Sequence, residues 1–225
     1  MSELGIFIGL PIAPVSALEY AVVLNTHACA NELRHAGYTP TITRGKWPTR
    51  EPFMAKTDRL RDEIWRAYND NGKRPVPFVG ISAGALGLLT TIFDPNYKEE
   101  MLKYVGPIAT IAGPINEFRK GPNKEIPEDM KPLVERMKKW YPNLFDIYTY
   151  YLDTVLRAMT LEDKRRISLN LYGATDDKVP FIMSALPDVA DDIFPIYPEP
   201  KGSHHNNIRN GLRSPALRRV LSIGK

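Results

Sequence analysis

Apolar positions along the chain recur with two periods, and the alternation between them predicts strands interleaved with helices. Gly5-Ile6-Phe7-Ile8-Gly9-Leu10 is a short apolar run closed by glycine, the pattern of a buried strand. From Val15 the spacing turns helical through Leu18, Val22, Val23, Cys29 and Leu33, and it stops at His35-Ala36-Gly37. Residues 38–43 read as the next strand, with Pro40 suited to an edge or a strand start. A proline-rich loop over 47–52 leads to a helix over 54–69, with Leu60, Ile64, Trp65 and Tyr68 as its apolar face. Residues 76–79 form a strand that runs into a helix of small residues ending at Phe93, and 104–115 is apolar, β-branched and again strand-like.

The character changes over 116–166. Proline-rich polar sequence precedes two helical patterns, one through Leu133, Val134, Met137 and Trp140 and a second from Leu144 to Met159 at i, i+3, i+4 and i+7 spacing. Strand patterns return at 167–172 and 193–197, with a short helix at 181–186 between them and a closing basic helix over 215–221. Strands alternating with helices predict an α/β chain, a mostly parallel sheet flanked by helices on both faces. Residues 1–225 fit one domain, and 116–166 reads as a helical insertion over the strand ends, where such sheets bind ligands.

Composition narrows the classes of function. With 43% hydrophobic and 25% charged residues and a mean hydropathy of −0.30, the chain has the profile of a globular protein. No stretch approaches the roughly 18 uninterrupted apolar residues of a membrane span. No basic leader with a cleavage site is visible, which gives a cytoplasmic expectation. Cys29 is the only cysteine, so an intrachain disulfide and a thiolate metal cluster are both ruled out. The net charge of +4 comes from scattered lysines and arginines without the aromatic-interleaved stripe of a nucleic-acid surface, so no nucleic-acid partner is expected. Neither a Rossmann nor a P-loop glycine fingerprint follows the first strand, and no H-E-x-x-H is present, so neither cofactor nor metal is expected.

The chemistry concentrates at Gly80-Ile81-Ser82-Ala83-Gly84, a G-x-S-x-G at a strand-to-helix junction. A serine on so sharp a turn needs small residues two positions to either side, and Gly80 and Gly84 provide them. A serine hydroxyl becomes a nucleophile when an imidazole takes its proton, and the imidazole needs a carboxylate to hold its tautomer. Two later loops offer these partners, each after a predicted strand. The first, Gly173-Ala174-Thr175-Asp176-Asp177-Lys178-Val179-Pro180, holds the acids. The second, Gly202-Ser203-His204-His205-Asn206-Asn207, holds the histidines.

Elbow, acid loop and histidine loop, in that order, resemble the α/β-hydrolase superfamily over nearly the whole chain. Gly173-x-x-Asp176-x-x-Val179-Pro180 is similar to the family's G-x-x-D-x-x-V-P, and Gly202 to Ile208 to the G-G-G-H-N-D-I of some members. The resemblance implies a nucleophile Ser82, a base His205 with His204 as the alternate, and an acid Asp176 with Asp177 as the alternate. It also implies an oxyanion hole from the backbone N–H groups of Ala83 and Leu10. Many members carry His-Gly before that last residue; this chain has Ile8-Gly9, which keeps a backbone donor but changes the hydrogen bonds around it.

The activity implied is a serine esterase or lipase acting on small or lipid-like acyl esters through an acyl-enzyme. Hydrolysis of a thioester, an amide or a phospholipid stays open, as does a non-catalytic binding module on the same fold. Ser-Ala-Gly-Ala also resembles the elbow of patatin-like phospholipases and some serine peptidases, but the Asp-Gly-Gly or Asp-Gly-Ala motif and glycine-rich start of the patatin-like group are absent. Trp140, Phe145, Tyr148 and Tyr151 of the insertion are packed core in the plain reading. Because aromatics occupy more than one face of the second helix, they are also candidates for a lid lining an acyl pocket.

Overall fold

The computed structural model describes residues 2–11, 30–31, 33–35, 37–47, 53–140, 142–173, 179, 181–194 and 209–222. Its strands are β1 (Ser2–Pro11), β2 (Tyr38–Trp47), β3 (Val76–Ser82), β4 (Val105–Ile111), β5 (Ile167–Gly173) and β6 (Asp191–Phe194). They form one sheet in the order β2-β1-β3-β4-β5-β6, every neighbouring pair parallel. The helices before β4 are α1 (Phe53–Asp70), α2 (Ala83–Phe93) and α3 (Lys98–Tyr104). Those between β4 and β5 are α4 (Lys131–Trp140), α5 (Pro142–Tyr150), α6 (Leu156–Ala158) and α7 (Leu161–Arg165), with a π-helical turn at Tyr151–Val155 joining α5 to α6. Then come α8 (Phe181–Ser184), α9 (Arg209–Leu212) and α10 (Pro215–Ser222). Among the described residues no helix is long and apolar enough to cross a membrane.

Because successive side chains of a strand point to opposite faces, the sheet divides its apolar residues between two cores. Phe78 and Ile108 face one layer, where α1, α2, α3 and the helices of 116–166 pack together. Val79, Ile81, Ala109, Ile111, Leu169 and Leu171 face the other, covered by α10 and by the helical residues around Leu33. The helix predicted from Val15 is seen at residues 30–31 and 33–35, and the Gly37 N–H bonds the Arg34 carbonyl at 2.9 Å, where the glycine stop was expected. Pro40 lies in β2, which pairs only with β1 among the described strands, as its missing N–H favours.

The structure departs from the sequence pattern in several places. The strand expected over 104–115 ends at Ile111, because Ala112 takes a positive φ of 49° and turns the chain; α3 also fills the residues before Val105. The last strand begins at Asp191, two residues before the predicted Ile193. Trp65, placed on the buried face of α1, is 52% exposed. The buried stripe runs through Leu60 and Ile64, four apart, and Trp65 sits about 100° round the helix from Ile64. The single helical pattern of 144–159 is interrupted by the π turn, an irregularity invisible to a 3.6-residue period.

That turn carries an orphan. Tyr151 is fully buried, and its hydroxyl has no hydrogen-bond partner among the described residues. An unmet buried hydroxyl costs about 1–3 kcal/mol, so Tyr151→Phe is expected to raise the melting temperature by about 2–12 °C. Circular dichroism melting checks this; a lower melting temperature would show that the hydroxyl makes a stabilising bond.

Candidate active site

The order of the sheet brings the site together. β1 lies between β2 and β3, so successive connections leave it in opposite directions, and the crevice beyond the β1 and β3 ends is the topological switch point where open α/β sheets bind ligands. Ser82 is the last residue of β3 and pairs in register with Gly9 of β1, which places Leu10 one residue beyond that pair. Ala83 begins α2, a buried eleven-residue helix.

Ser82 holds the strained geometry an elbow requires. Its φ of 54° and ψ of −129° lie in a region that costs a residue with a Cβ about 1–3 kcal/mol. It occupies the N-cap position of α2 without a side-chain capping bond, so the hydroxyl is not spent on the helix. The first N–H groups of α2 lack intrahelical partners and carry the positive end of its dipole, an environment that favours developing negative charge beside Ser82.

The elbow closes only because of two close backbone approaches. A Cβ on Gly80 would lie 2.5 Å from the Ala85 Cα and 3.0 Å from its nitrogen, so β3 meets α2 with no room for a side chain. A Cβ on Gly113 would overlap the Ala85 Cβ and sit 3.3 Å from the Ser82 carbonyl oxygen. Gly80 was legible from its motif. Gly113 was not, although Ala112-Gly113-Pro114 is a turn-forming tripeptide and was the available signal.

Beyond Gly113 the chain makes a polar junction. The N–H groups of Ile115 and Asn116 donate to the Met183 carbonyl of α8 at 2.8 and 2.9 Å, and the Asn116 side-chain amide donates to the Ile182 carbonyl at 3.1 Å. The Tyr148 hydroxyl donates to the Asn116 carbonyl at 3.0 Å, while its ring stacks on Phe118 with centroids 5.9 Å apart. Burial holds the Tyr148 phenol well above its ordinary pKa, and the Glu117 carboxylate adds to this, so it stays a neutral donor. Arg119 grips Glu117 at 2.6 Å and Asp153 at 3.0 Å, and Lys124 pairs with Asp153 as well. Burial alone would raise the Glu117 carboxyl; the hydrogen bonds and charge of Arg119 outweigh it and hold the group below its usual range.

Between β4 and β5 lies a second polar group. The Thr110 hydroxyl donates to Asn170 Oδ1 at 2.8 Å, and Asn170 Nδ2 donates to the Ser184 carbonyl at 2.8 Å and to Asp191 Oδ1 at 2.9 Å. Both Thr110 and Asn170 are completely buried. A sheet covered on both faces would carry apolar residues there, and sequence reading passed over them.

Ser82, Ala83 and the Leu10 backbone are thus placed at one end of the sheet. Asp176, Asp177, His204 and His205 lie outside the described residues. Of the aromatic candidates, Tyr148 and Tyr151 are buried, and Phe145 is half-buried with the Lys138 ammonium 5.3 Å from its ring centre. Trp140 ends α4, its side chain outside the description. Among the described residues no three His, Cys, Asp or Glu side chains converge as a metal site would.

No family model and no curated protein sequence matches the chain. Solved structures do. A lipase, BlEst2 of Bacillus licheniformis in its mature form, is similar with a TM-score of 0.58 at 12% identity, over 98% of this chain and 91% of that one. A bromoperoxidase from Bacillus anthracis gives 0.52 at 15% identity, over 99% and 92%. Est1E from Butyrivibrio proteoclasticus gives 0.51 at 11% identity, over 100% and 89%. A likeness that runs end to end, joined to a serine elbow at the switch point of a parallel sheet, makes the fold of this chain that of the α/β-hydrolases.

Proposed function

We propose that the chain is a serine hydrolase of carboxylic esters. The observation that carries this reading is Ser82 at φ 54° between β3 and α2, the strained strand-to-helix junction that sets a serine at the N-terminus of a buried helix. The names of the similar structures, a lipase and a bromoperoxidase among them, fit the reading without fixing a substrate.

In the proposed mechanism, the Ser82 oxygen attacks the ester carbonyl while His205 takes the hydroxyl proton. The tetrahedral oxyanion is met by the N–H groups of Ala83 and Leu10. The C–O bond to the alcohol then breaks, and His205 gives the proton to the departing oxygen. Water repeats the sequence on the acyl-enzyme, releasing the acid and restoring Ser82. Asp176 orients the imidazole and stabilises its charged form. The segment 116–166 leaves from the same end of the sheet as Ser82, since β4 runs parallel to β3, and is proposed as the cover of the acyl pocket.

A series of p-nitrophenyl esters of increasing chain length, followed against pH, tests this. Hydrolysis is expected to rise with pH as the base loses its proton, near the reference histidine pKa of roughly 6.5. His205→Ala should remove that rise together with most of the rate, and His204→Ala should retain both. The reverse pattern would make His204 the base. Phe145→Ala should change the preference along the series and leave acetate hydrolysis in place; an unchanged preference would count against the cover. A wild-type protein that turns over no acyl ester, thioester or amide leaves a binding module as the surviving reading.

A further inference from the structure

The stretch leaving β4 touches three parts of the molecule within a few residues. Gly113 lies against the elbow, with no room for a Cβ between it and Ala85 or the Ser82 carbonyl. Asn116 then engages α8 through its backbone N–H and its side-chain amide, and it accepts the Tyr148 hydroxyl of α5 on its carbonyl. Residues 113–116 therefore link the elbow, through Gly113, to α8 and α5, through Asn116.

What α8 does gives that contact its consequence. A helix of four residues makes almost no internal hydrogen bonds, and its last carbonyls have no intrahelical partners. Its position is set from outside. The Ile182 carbonyl takes the Asn116 amide, the Met183 carbonyl takes the Ile115 and Asn116 N–H groups, and the Ser184 carbonyl takes Asn170 Nδ2. Only residues 174–180 separate Gly173, the end of β5, from Phe181, the start of α8, and Asp176 and Asp177 fall within that span. One end of the acid loop is thus fixed by the sheet and the other by α8.

We infer that Asn116 is a positioning residue for the acid of the triad, holding α8 and with it the end of the acid loop at a set distance from Ser82. The inference rests on the ester-hydrolase reading of Ser82. Tyr148 makes the same junction sensitive to the packing of α5, because its hydroxyl bonds the carbonyl of the asparagine that holds α8.

The test is the rate at which a fluorophosphonate probe modifies Ser82, measured across the pH range in which histidine titrates. Asn116→Ala is expected to slow labelling about tenfold, since small displacements of catalytic groups carry large rate penalties. It should also move the rising limb to lower pH, because an imidazole with a poorly placed carboxylate binds its proton less tightly. In the slower of the Asp176→Asn and Asp177→Asn backgrounds, the same change should cost less than about twofold, the acid having already been lost. Thr160→Ala serves as the stability control. Thr160 caps α7 through a capping box with Asp163, just before β5 begins and so at the opposite end of the sheet from Ser82. It should lower stability while leaving the labelling profile as in the wild type.

Asn116→Ala matching Thr160→Ala in rate and profile would overturn the positioning role. So would an equal loss with and without the acid, which would make Asn116 act by another route. An absence of Ser82-dependent labelling in folded wild-type protein is a different outcome, which overturns the hydrolase reading and this inference with it.

Discussion

Ser82→Ala is expected to lower ester turnover by at least about 10⁴-fold while leaving the protein folded. Two properties of the elbow combine to give this result. The hydroxyl is the attacking atom in the proposed mechanism, so its removal leaves only the binding and the oxyanion donors. Alanine keeps the Cβ, so the strain at φ 54° is the same in both proteins and the thermal midpoint should barely move. Ser82→Gly sharpens the contrast. Glycine adopts positive φ without steric cost, so this variant should be more stable than the wild type by about 1 kcal/mol and as inactive as the alanine variant. Activity and stability then move in opposite directions at a single residue, as happens when strain is kept for chemistry. Thermal melts beside initial rates decide it; a Ser82→Gly protein less stable than the wild type would show that the backbone is not strained there.

The second large effect concerns the glycines that let the elbow close, and it separates two clashes that look alike in sequence. Gly80→Ala drives a methyl to 2.5 Å from the Cα of Ala85, a backbone atom in a helix packed on all sides. Gly113→Ala drives a methyl into the Cβ of the same alanine, a side-chain atom that can be deleted. Each single substitution is expected to cost about 3 kcal/mol or more, the upper end for overpacking a core, and to remove activity as Ser82 is displaced. Ala85→Gly should then restore most of the loss in the Gly113→Ala protein, less about 1 kcal/mol for a glycine within a helix. It should do little for Gly80→Ala, whose clash is with the main chain. Urea denaturation of the two single and two double variants reads this directly. Equal rescue of both, or of neither, would mean that the backbones of β3, α2 and the β4 exit are not packed as described.

Much of the fold was legible because its elements obey strong local rules. The apolar runs of β1 and β3, the alternation of β5 and the small-residue helix after Ser82 each pointed to a parallel sheet with helices between its strands, and the elbow fell where its motif said. What stayed hidden depends on contacts between distant segments. Ala112 turns the chain at the end of β4, where Gly113-Pro114 was the one local signal beside a run that otherwise reads as strand, and Trp65 misses the core by one position on an otherwise well-read helix. The Thr110–Asn170 pair breaks the apolar pattern of two adjacent strands, a conflict that resolves only when the strands lie side by side. Asn116 looked like the polar start of an insertion; its part in fixing α8 arises from carbonyls sixty-six residues away or more. Candidates for serine, acid and histidine could be picked from motif order alone, since order and loop position are local properties. Their spacing in the fold is not local, and the sequence offered no means of reading it.

If Ser82 is the nucleophile, the intact mass of the protein after reaction with a fluorophosphonate ester rises by one phosphonyl group per chain, and peptide mapping finds it on the peptide containing Ser82. The adduct should form faster as the pH rises through the histidine range and be absent from folded Ser82→Ala. No adduct on folded wild-type protein, or one placed on a different residue, would contradict that role.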